Sequence, residues 1–303
     1  MRLDYLRYFN HLAKVLNFTK AADDLFLAQP TLSVAIKRME EEFGVKLFER
    51  RKGSSRIELT EPGEAYYEYV SHALNNLDTG LRVAREIQGE ANSLVRVGTV
   101  YSMQGVMCSQ AMQSFLTKSA NAPKVTIEQA YSSELIPRLR KGELDVVFAA
   151  RMDDIDDLDY VPMWSQPLVL GLHKNNPIAK RKEISIDDLK EYEIITYPKE
   201  SPVKRIDTEL PVDEMNLIRE YDDEITMSTI ISSNEHTMAL FCHSFLVNAF
   251  EDVVCRKVHG LPDDFHKVYL VSRKKTHPKV VDDYIAFMSS YRFPNIMETG
   301  KIV

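Results

Sequence analysis

The chain has 303 residues, a hydrophobic fraction of 44% and a formal net charge of −7. This length predicts about two domains of roughly 150 residues each, with enough apolar residues for buried cores. No apolar run approaches the roughly 20 residues of a membrane-spanning helix, which argues against a membrane protein. The first residues are charged and lead into a periodic helix rather than a signal peptide, so we expect no membrane contact and a cytoplasmic location.

The charge is unevenly distributed along the chain. Residues 1–60 contain 11 lysines and arginines against 8 acidic residues, a net charge of +3, whereas residues 61–303 carry a net charge of −10. A locally basic segment on an acidic protein is typical of a domain that binds phosphate groups. The distribution therefore favours a nucleic-acid partner for the N-terminal part of the chain.

The first sixty residues predict three short helices. Apolar residues recur at helical spacing from Leu3 to Leu16, and Thr19 is the expected N-cap of a second helix. A turn then leads to a third helix, which has Pro30 in its first turn and ends at Gly44. A short helix, a tight turn and a helix with an exposed polar and basic face are typical of a helix-turn-helix that enters the major groove of DNA. A small helical bundle with a solvated polar face is the alternative.

A basic segment follows the third helix. Four cations flank a Gly-Ser-Ser turn before a predicted strand at 57–59: Arg50, Arg51, Lys52 and Arg56. A basic hairpin after a recognition helix is typical of a wing that contacts phosphates or the minor groove. This order of elements favours DNA binding over the bundle.

Five stretches of this segment resemble, in one register, the DNA-binding domain of LysR-type transcriptional regulators: 18–22, 29–33, 36–40, 44–50 and 59–63. The resemblance implies a winged helix-turn-helix that binds double-stranded DNA. The predicted DNA-binding residues are Phe18, Thr19, Gln29, Pro30, Thr31, Ser33, Lys37, Arg38, Arg50, Arg51, Lys52 and Arg56. The chain departs from the family pattern at Ala28, where a capping serine is common, and at Val34 and Ala35, where longer polar side chains are frequent. These departures bear on base preference and leave the docking mode unchanged.

A single long helix is predicted from Thr60, its N-cap, to about Gly89. Apolar positions along it alternate in steps of three and four, as in a heptad seam: Tyr67, Val70, Leu74, Leu77, Leu81 and Ala84. The LysR resemblance implies that this helix pairs two chains, giving a homodimer or homotetramer. An amphipathic helix packed on its own domain is the alternative. The expected divisions are residues 1–60 for DNA binding, 61–89 for the linker helix and 90–303 for regulation.

The rest of the chain predicts an α/β fold. Strands at 94–98, 125–128 and 142–149 alternate with a helix from about Ser102 to Thr117 and another that opens at Ser132 or Ser133, which indicates a parallel sheet. Further apolar runs predict a second lobe and a return: 168–172, 194–197, 245–248 and 268–271. This part resembles the LysR effector domain, with the two-lobed shape of type 2 periplasmic binding proteins. The resemblance implies one lobe at about 93–162 and 268–298 and the other at about 163–267.

A small effector is expected between the two lobes, where strand ends meet helix N-termini. The predicted effector-binding residues are Tyr101, Ser102, Met103, Ser132, Ser133, Arg151, Thr196 and Ser201. Hydroxyl groups with one added cation suggest an anionic or polar effector, although each serine could simply cap its helix. The stretch 235–245 lacks the glycines that the family has there. His243 and Phe245 stand instead, which implies a bulkier pocket wall or a different ligand.

Other classes of protein are less consistent with the sequence. The catalytic and nucleotide-binding patterns GxSxG, HExxH, GxGxxG and the P-loop are absent, so we expect neither an enzyme nor a cofactor. Variants of the same fold remain open: a redox switch between Cys242 and Cys255, or a metal site of His236, Cys242 and His243. A solute-binding protein would explain the second part but not the first sixty residues. RNA polymerase is a possible further partner of a DNA-bound regulator.

Overall fold

A computed structural model describes residues 2–50, 57–88, 94–103, 106–119, 123–152, 156–181 and 183–293. The chain divides into two compact units. The first comprises Met1–Glu90 with Arg140–Glu143, and the second comprises Ala91–Leu139 with Leu144–Val303. No helix within the described ranges is long and apolar enough to cross a membrane.

The first unit is a winged helix-turn-helix followed by a long helix. Its elements are α1 (Leu3–Val15), α2 (Phe18–Asp24), α3 (Gln29–Phe43), β1 (Phe48–Arg50), β2 (Ile57–Leu59) and α4 (Glu61–Ile87). The two strands pair antiparallel, as expected for a wing. Phe9, Leu32 and Met39 are almost fully buried where the first three helices meet, so the sequence periodicity corresponds to one common core. The predicted fold of this unit is confirmed.

The helix ends follow local side-chain chemistry. Asn17, not Thr19, caps α2, because its side chain accepts the backbone N–H of Lys20 at 3.0 Å. The prediction for Thr19 was wrong by two residues, since Thr19 lies inside the helix and both residue types are good caps. Gly44 ends α3 in the left-handed region at φ 69°, where a Cβ is disfavoured. Thr60 caps α4 as predicted, with its Oγ1 accepting the N–H of Gly63 at 3.0 Å.

The second unit contains two five-stranded sheets, one in each lobe. Lobe I is built from β3 (Leu94–Thr99), α5 (Val106–Lys118), β4 (Lys124–Gln129), α6 (Ser132–Lys141), β5 (Val146–Ala150) and β6 (Leu158–Gln166), completed by β12 (His266–Arg273) and α10 (Lys279–Ser290). Its strand order is β4-β3-β5-β12-β6, in which the first three strands are parallel. The first helix of this lobe, α5, begins at Val106 rather than near Ser102 as predicted, because residues 101–103 form a separate 3₁₀ turn.

Lobe II has the strand order β11-β7-β10-β8-β9. Its elements are β7 (Leu168–His173), α7 (Ile186–Leu189), β8 (Glu193–Thr196), α8 (Arg205–Glu209), β9 (Asn216–Arg219), α9 (Glu224–Ser233), β10 (Met238–Cys242) and β11 (Val253–Lys257). The apolar run at 245–248 lies in a 3₁₀ helix, while 238–242 supplies a fully buried strand. The chain enters this lobe after Gln166 and leaves it before His266, and these two residues are register partners in lobe I. Two neighbouring backbone segments therefore connect the lobes.

Candidate DNA-binding surface and ligand cleft

The third helix presents a polar face to solvent. Five predicted DNA-binding residues on this face are exposed: Gln29, Pro30, Thr31, Lys37 and Arg38. Ser33 is half-buried at its edge. Val34 lies within the face and is 50% exposed, so an apolar side chain is available for contact with a thymine methyl group. No side chain caps the helix at Ala28, which leaves the backbone N–H groups of its first turn without a capping side chain and able to bind a phosphate.

The remaining predicted contacts fall into three groups. Thr19 is exposed at the start of α2. Phe18 is half-buried, and its ring centroid lies 6.4 Å from that of Phe48, so its main role is in packing. Arg51, Lys52 and Arg56 lie outside the described residues. Arg50 ends β1, and its backbone position is the only part of it that the structure describes.

A buried carboxylate attaches the wing to the third helix. The Glu40 side chain is 9% exposed, and its Oε1 accepts the backbone N–H groups of Leu47 and Phe48 at 2.9 and 3.1 Å. Its Oε2 accepts Lys46 Nζ at 2.7 Å. Burial alone would raise the pKa of the Glu40 carboxyl, but these three hydrogen bonds outweigh burial and lower its pKa. Glu40 thus fixes the first wing strand relative to the recognition helix.

The heptad seam on α4 divides into two parts. Val70 and Leu74 are 4% and 6% exposed in the core of their own unit, where Tyr67 also packs. Val70 and Leu74 are therefore not available to a partner chain in this fold, whereas Tyr67 is only half-buried. Leu77 and Leu81 are 55% and 49% exposed, and Ala84 is exposed as well. The unpartnered stripe consists of these last three residues.

A cleft in the second unit is lined by both lobes. It spans about 610 Å³ of space including its open mouth, of which about 100 Å³ is enclosed room for water-sized molecules. Lobe I contributes Val100, Tyr101, Ser102, Tyr131, Ser132, Ala150, Gln166, His266 and Val268. Lobe II contributes Tyr197, Ser201, Pro202, Val203, Asp222, Asp223, Glu224 and Cys242. Both connections between the lobes thus supply polar side chains to the cleft.

Half of the predicted effector-binding residues line this cleft: Tyr101, Ser102, Ser132 and Ser201. The other four do not line it. Met103 is buried beneath the cleft in the core of lobe I, and Ser133 faces solvent on α6. Thr196 is fully buried, and its hydroxyl donates to the Leu240 carbonyl at 2.8 Å. Arg151 lies in a neighbouring pocket, with its guanidinium 5.1 Å from the centroid of the Tyr160 ring.

The predicted serines differ in the hydrogen bonds that they already make. Ser132 is 4% exposed, and its Oγ accepts the N–H of Ala150 at 3.0 Å. That bond fixes the hydroxyl and leaves its proton for a ligand. Ser201 Oγ accepts the N–H of Val203 at 3.1 Å. At the mouth, the rings of Tyr101 and Tyr131 meet edge to face at 5.4 Å, which gives the cleft one aromatic wall.

The sequence did not predict the acidic side of the cleft. Asp222, Asp223 and Glu224 lie together where α9 begins, and the lining residues include no lysine or arginine. Burial lowers the pKa of His266 to about 4, so its imidazole is neutral at physiological pH. Of the expected anionic or polar effectors, an anion would therefore meet negative charge in this cleft and no lysine or arginine among the lining residues. A run of three acidic residues before a helix was the available signal, although such a run usually lies in a solvated loop.

Charged groups of the neighbouring pocket are paired within the protein. Arg205 donates to the carbonyls of Asp264 and Phe265 at 2.7 and 3.2 Å, and Lys267 pairs with the Asp264 carboxylate at 2.8 Å. Lys204 donates to the carbonyl of Met152 at 3.1 Å. These contacts engage the side chains of Arg205, Lys267 and Lys204 within the protein.

The redox and metal alternatives lack the required geometry. Cys242 on β10 and Cys255 on β11 are buried on opposite sides of β7, so their strands lie about 9–10 Å apart, beyond the reach of a disulfide. Burial also raises the pKa of the Cys242 thiol well above its ordinary value. His236 and His243 stand at opposite ends of β10, and no metal-binding cluster occurs within the described ranges. His243 is fully buried and does not line the cleft.

Two family models match the chain. Residues 3–64 match the bacterial regulatory helix-turn-helix protein of the lysR family, and residues 88–216 match the LysR substrate binding domain. The chain is 34% identical over 202 residues to the HTH-type transcriptional regulator AlsR of Bacillus subtilis (strain 168), which is 66% of each chain. It is 30% identical over 203 residues to the HTH-type transcriptional regulator BudR of Raoultella terrigena, which is 66% of this chain and 69% of BudR. The matches thus span about two thirds of these relatives, which are regulators rather than enzymes.

A solved structure shows the same fold over nearly the whole chain. The crystal structure of full-length CbnR complexed with its target DNA is similar to this chain with a TM-score of 0.68 at 18% identity. The similarity covers 95% of this chain and 99% of CbnR. The arrangement of a helix-turn-helix, a linker helix and a two-lobed domain is therefore shared.

Proposed function

Because the chain belongs to the LysR family of bacterial regulatory helix-turn-helix proteins, we propose that it is a DNA-binding transcription regulator controlled by a small effector. The observation that carries this proposal is the exposed face of α3, which combines Gln29, Thr31 and Lys37 beside an uncapped helix N-terminus. Gln and Thr can bond to base edges, whereas Lys binds phosphate. The regulator would act in the cytoplasm, on DNA.

The ligand cleft supports control by a small molecule. It lies between two lobes that are joined by only two backbone segments, and such lobes can close around a ligand. Serine hydroxyls, a glutamine amide and tyrosine rings favour a polar organic effector over a purely apolar one. The acidic side of the cleft argues against an anion. A regulator responding through Cys242 or a metal is less consistent with the buried, separated positions of those residues.

Dimerisation is part of the proposal. Two recognition helices must address two half-sites of DNA, which requires at least two copies of the chain. The exposed stripe of Leu77, Leu81 and Ala84 on α4 supports pairing through that helix. Tetramer formation and contact with RNA polymerase stay predictions, to be tested once an operator is known.

The test is binding of the full-length protein to the DNA upstream of its own gene, compared with scrambled DNA of equal length at several salt concentrations. We expect tighter binding to the natural sequence and a steep loss of affinity with salt. Gln29→Ala should reduce the discrimination between the two sequences by about 1–3 kcal/mol. Lys37→Ala should weaken binding to both and lower the salt slope by about one.

A matched control separates a specific contact from a general charge effect. Lys124 is exposed on β4 in the second unit, and Lys124→Ala removes the same charge without touching the recognition helix. It should leave both affinities unchanged. If the wild type binds natural and scrambled DNA equally at every salt concentration, its upstream region is not the operator. If it binds neither even at low salt, the proposed function is wrong.

A further inference from the structure

Glu224 is a buried carboxylate on the wall of the ligand cleft. It is the first residue of α9, is only 8% exposed, and lines the cleft beside Cys242 and Tyr197. Its Oε1 makes no hydrogen bond, although the Ser244 hydroxyl lies close enough to favour the charged form of the carboxyl and so to lower its pKa. An ionised carboxylate removed from water without a partner is strongly destabilising, so it needs a donor or a cation.

The neighbouring carboxylates of Asp222 and Asp223 supply neither a hydrogen-bond donor nor a cation to Glu224. Asp223 is used as the N-cap of α9, because its carboxylate accepts the Thr226 N–H at 2.7 Å and the Thr226 hydroxyl at 3.0 Å. Asp222 is exposed at the cleft mouth. The helix N-terminus contributes a partial positive charge, equivalent to about half an elementary charge. Three carboxylates therefore face one cleft whose lining contains no lysine or arginine.

From this arrangement we infer that the effector carries a cationic N–H group, such as a primary ammonium, which binds the Glu224 carboxylate. The inference rests on the proposed function and names the chemical class of its ligand. Val100, Val203 and Val268, together with the edge-to-face pair of Tyr101 and Tyr131, provide a surface for the apolar or aromatic body of such an amine. The aromatic faces also attract a cation directly.

A neutral Glu224 that donates a hydrogen bond is the competing interpretation. Burial raises the pKa of the Glu224 carboxyl, while the adjacent Ser244 opposes this shift. A protonated carboxyl would favour a ligand carbonyl or carboxylate, whereas the ionised form favours an ammonium group. The charge preference of the cleft therefore separates the two interpretations.

The experiment measures binding by isothermal titration calorimetry to the full-length protein with three probes of similar shape: benzylamine, benzyl alcohol and benzoate. We expect benzylamine to bind the wild type most tightly and benzoate least. Glu224→Gln keeps the shape of the side chain and removes its charge. It should weaken benzylamine binding by roughly 30-fold or more, and benzyl alcohol binding should change little.

The control is Glu193→Gln, which removes an exposed carboxylate at the start of β8, away from the cleft lining. This variant should bind benzylamine as the wild type does. Benzoate binding more tightly than benzylamine to the wild type would overturn the inference without using any variant. Equal benzylamine binding by wild type and Glu224→Gln, or no saturable benzylamine binding, would also overturn it. Operator binding by the same preparation would in each case leave the proposed function standing.

Discussion

At the scale of single residues, Glu40 shows how one side chain can set the geometry of a whole surface. The recognition helix and the wing strand β1 are joined by a short connection, and Glu40 accepts the backbone N–H groups of Leu47, just before the strand, and of Phe48, its first residue. A hydrogen bond to a charged acceptor stabilises a fold more than a neutral one does. The position of the wing therefore depends on the charge of this carboxylate.

We expect Glu40→Gln to lower the free energy of unfolding of the first unit by about 1.5–3 kcal/mol at neutral pH. Because the pKa of Glu40 in the folded protein lies below its ordinary value of 4.5, the charged form stabilises the fold above that pH. The stabilisation is lost as the pH falls through the lowered pKa, so wild type and variant should converge in acid. Denaturant unfolding at several pH values, followed by far-ultraviolet circular dichroism, measures the difference.

Two features keep that measurement interpretable. The single tryptophan, Trp164, lies in the second unit, so its fluorescence should report an unchanged transition in Glu40→Gln. Glu41→Gln removes a neighbouring carboxylate that is 63% exposed and should change stability by less than about 0.5 kcal/mol. A pH-independent difference between wild type and Glu40→Gln would contradict the assigned role of the charge.

Gly63 provides a second test at this scale, because it determines how closely α4 approaches the wing. A Cβ at Gly63 would lie 2.1 Å from the backbone carbonyl oxygen of Leu47, whereas a Cβ at Gly80 would meet nothing within 4 Å. We expect Gly63→Ala to destabilise the first unit by about 2 kcal/mol or more. Gly80→Ala, on the same helix, should stabilise it by about 0.5–1 kcal/mol. Equal thermal midpoints for the two variants would refute this account.

At the scale of elements, sequence periodicity predicted those parts that depend on local patterns. The strands β3, β4 and β5 follow from short apolar runs, and Gly44 ended α3 as expected. The sequence did not predict the strand β10, because the family resemblance places a glycine-rich turn at 235–245. The apolar residues within that stretch form the strand instead. Predicted cleft residues such as Ser102 and Ser132 follow from the rule that ligands lie at the carboxyl ends of parallel strands.

Other cleft residues could not be predicted in this way. Gln166 and His266 become neighbours only through antiparallel pairing of β6 with β12, which are far apart in the sequence. In the sequence Glu224 is one of three consecutive acidic residues, and its burial depends on packing from other parts of lobe II. Tertiary pairing rather than local propensity therefore determines these parts of the site.

The exposed apolar stripe on α4 predicts which residues hold two chains together. Leu77 and Leu81 are about half exposed on α4, whereas Val70 and Leu74, one to two turns earlier on the same helix, are buried in the core of the unit. We expect the double change Leu77→Lys and Leu81→Lys to raise the dimer dissociation constant by roughly 100-fold or more, because two apolar contacts per chain are replaced by charges. Sedimentation velocity over a range of protein concentrations measures this shift.

Tyr69 supplies the matched control for that experiment. It is 76% exposed on the same helix but lies outside the predicted seam, so Tyr69→Lys removes a large apolar side chain without changing the stripe. It should leave the dissociation constant within about threefold of the wild-type value, a difference below about 1 kcal/mol. Dissociation of both variants to the same extent would mean that pairing uses another surface of α4.

At the scale of the whole molecule, the separation of charge predicts how the protein distinguishes its operator from other DNA. Residues 1–60 have a net charge of +3 and the rest of the chain −10. Phosphate contacts made by the N-terminal part attract any DNA, whereas the acidic remainder repels it at distances up to the Debye length, about 8 Å at physiological salt. The repulsion weakens non-specific binding, in which base contacts cannot compensate.

Removing acidic charge from the second unit should therefore change binding to DNA of any sequence. A variant of the second unit would neutralise four exposed carboxylates, Glu183→Gln, Glu191→Gln, Glu193→Gln and Asp213→Asn. Its affinity for scrambled DNA at low salt should rise, by about threefold to tenfold, and the gain should disappear at high salt as screening removes the repulsion. The charge-preserving changes of these four residues to Asp or Glu should have no effect. An increase that persists at high salt would indicate a direct contact between this unit and DNA instead of long-range repulsion.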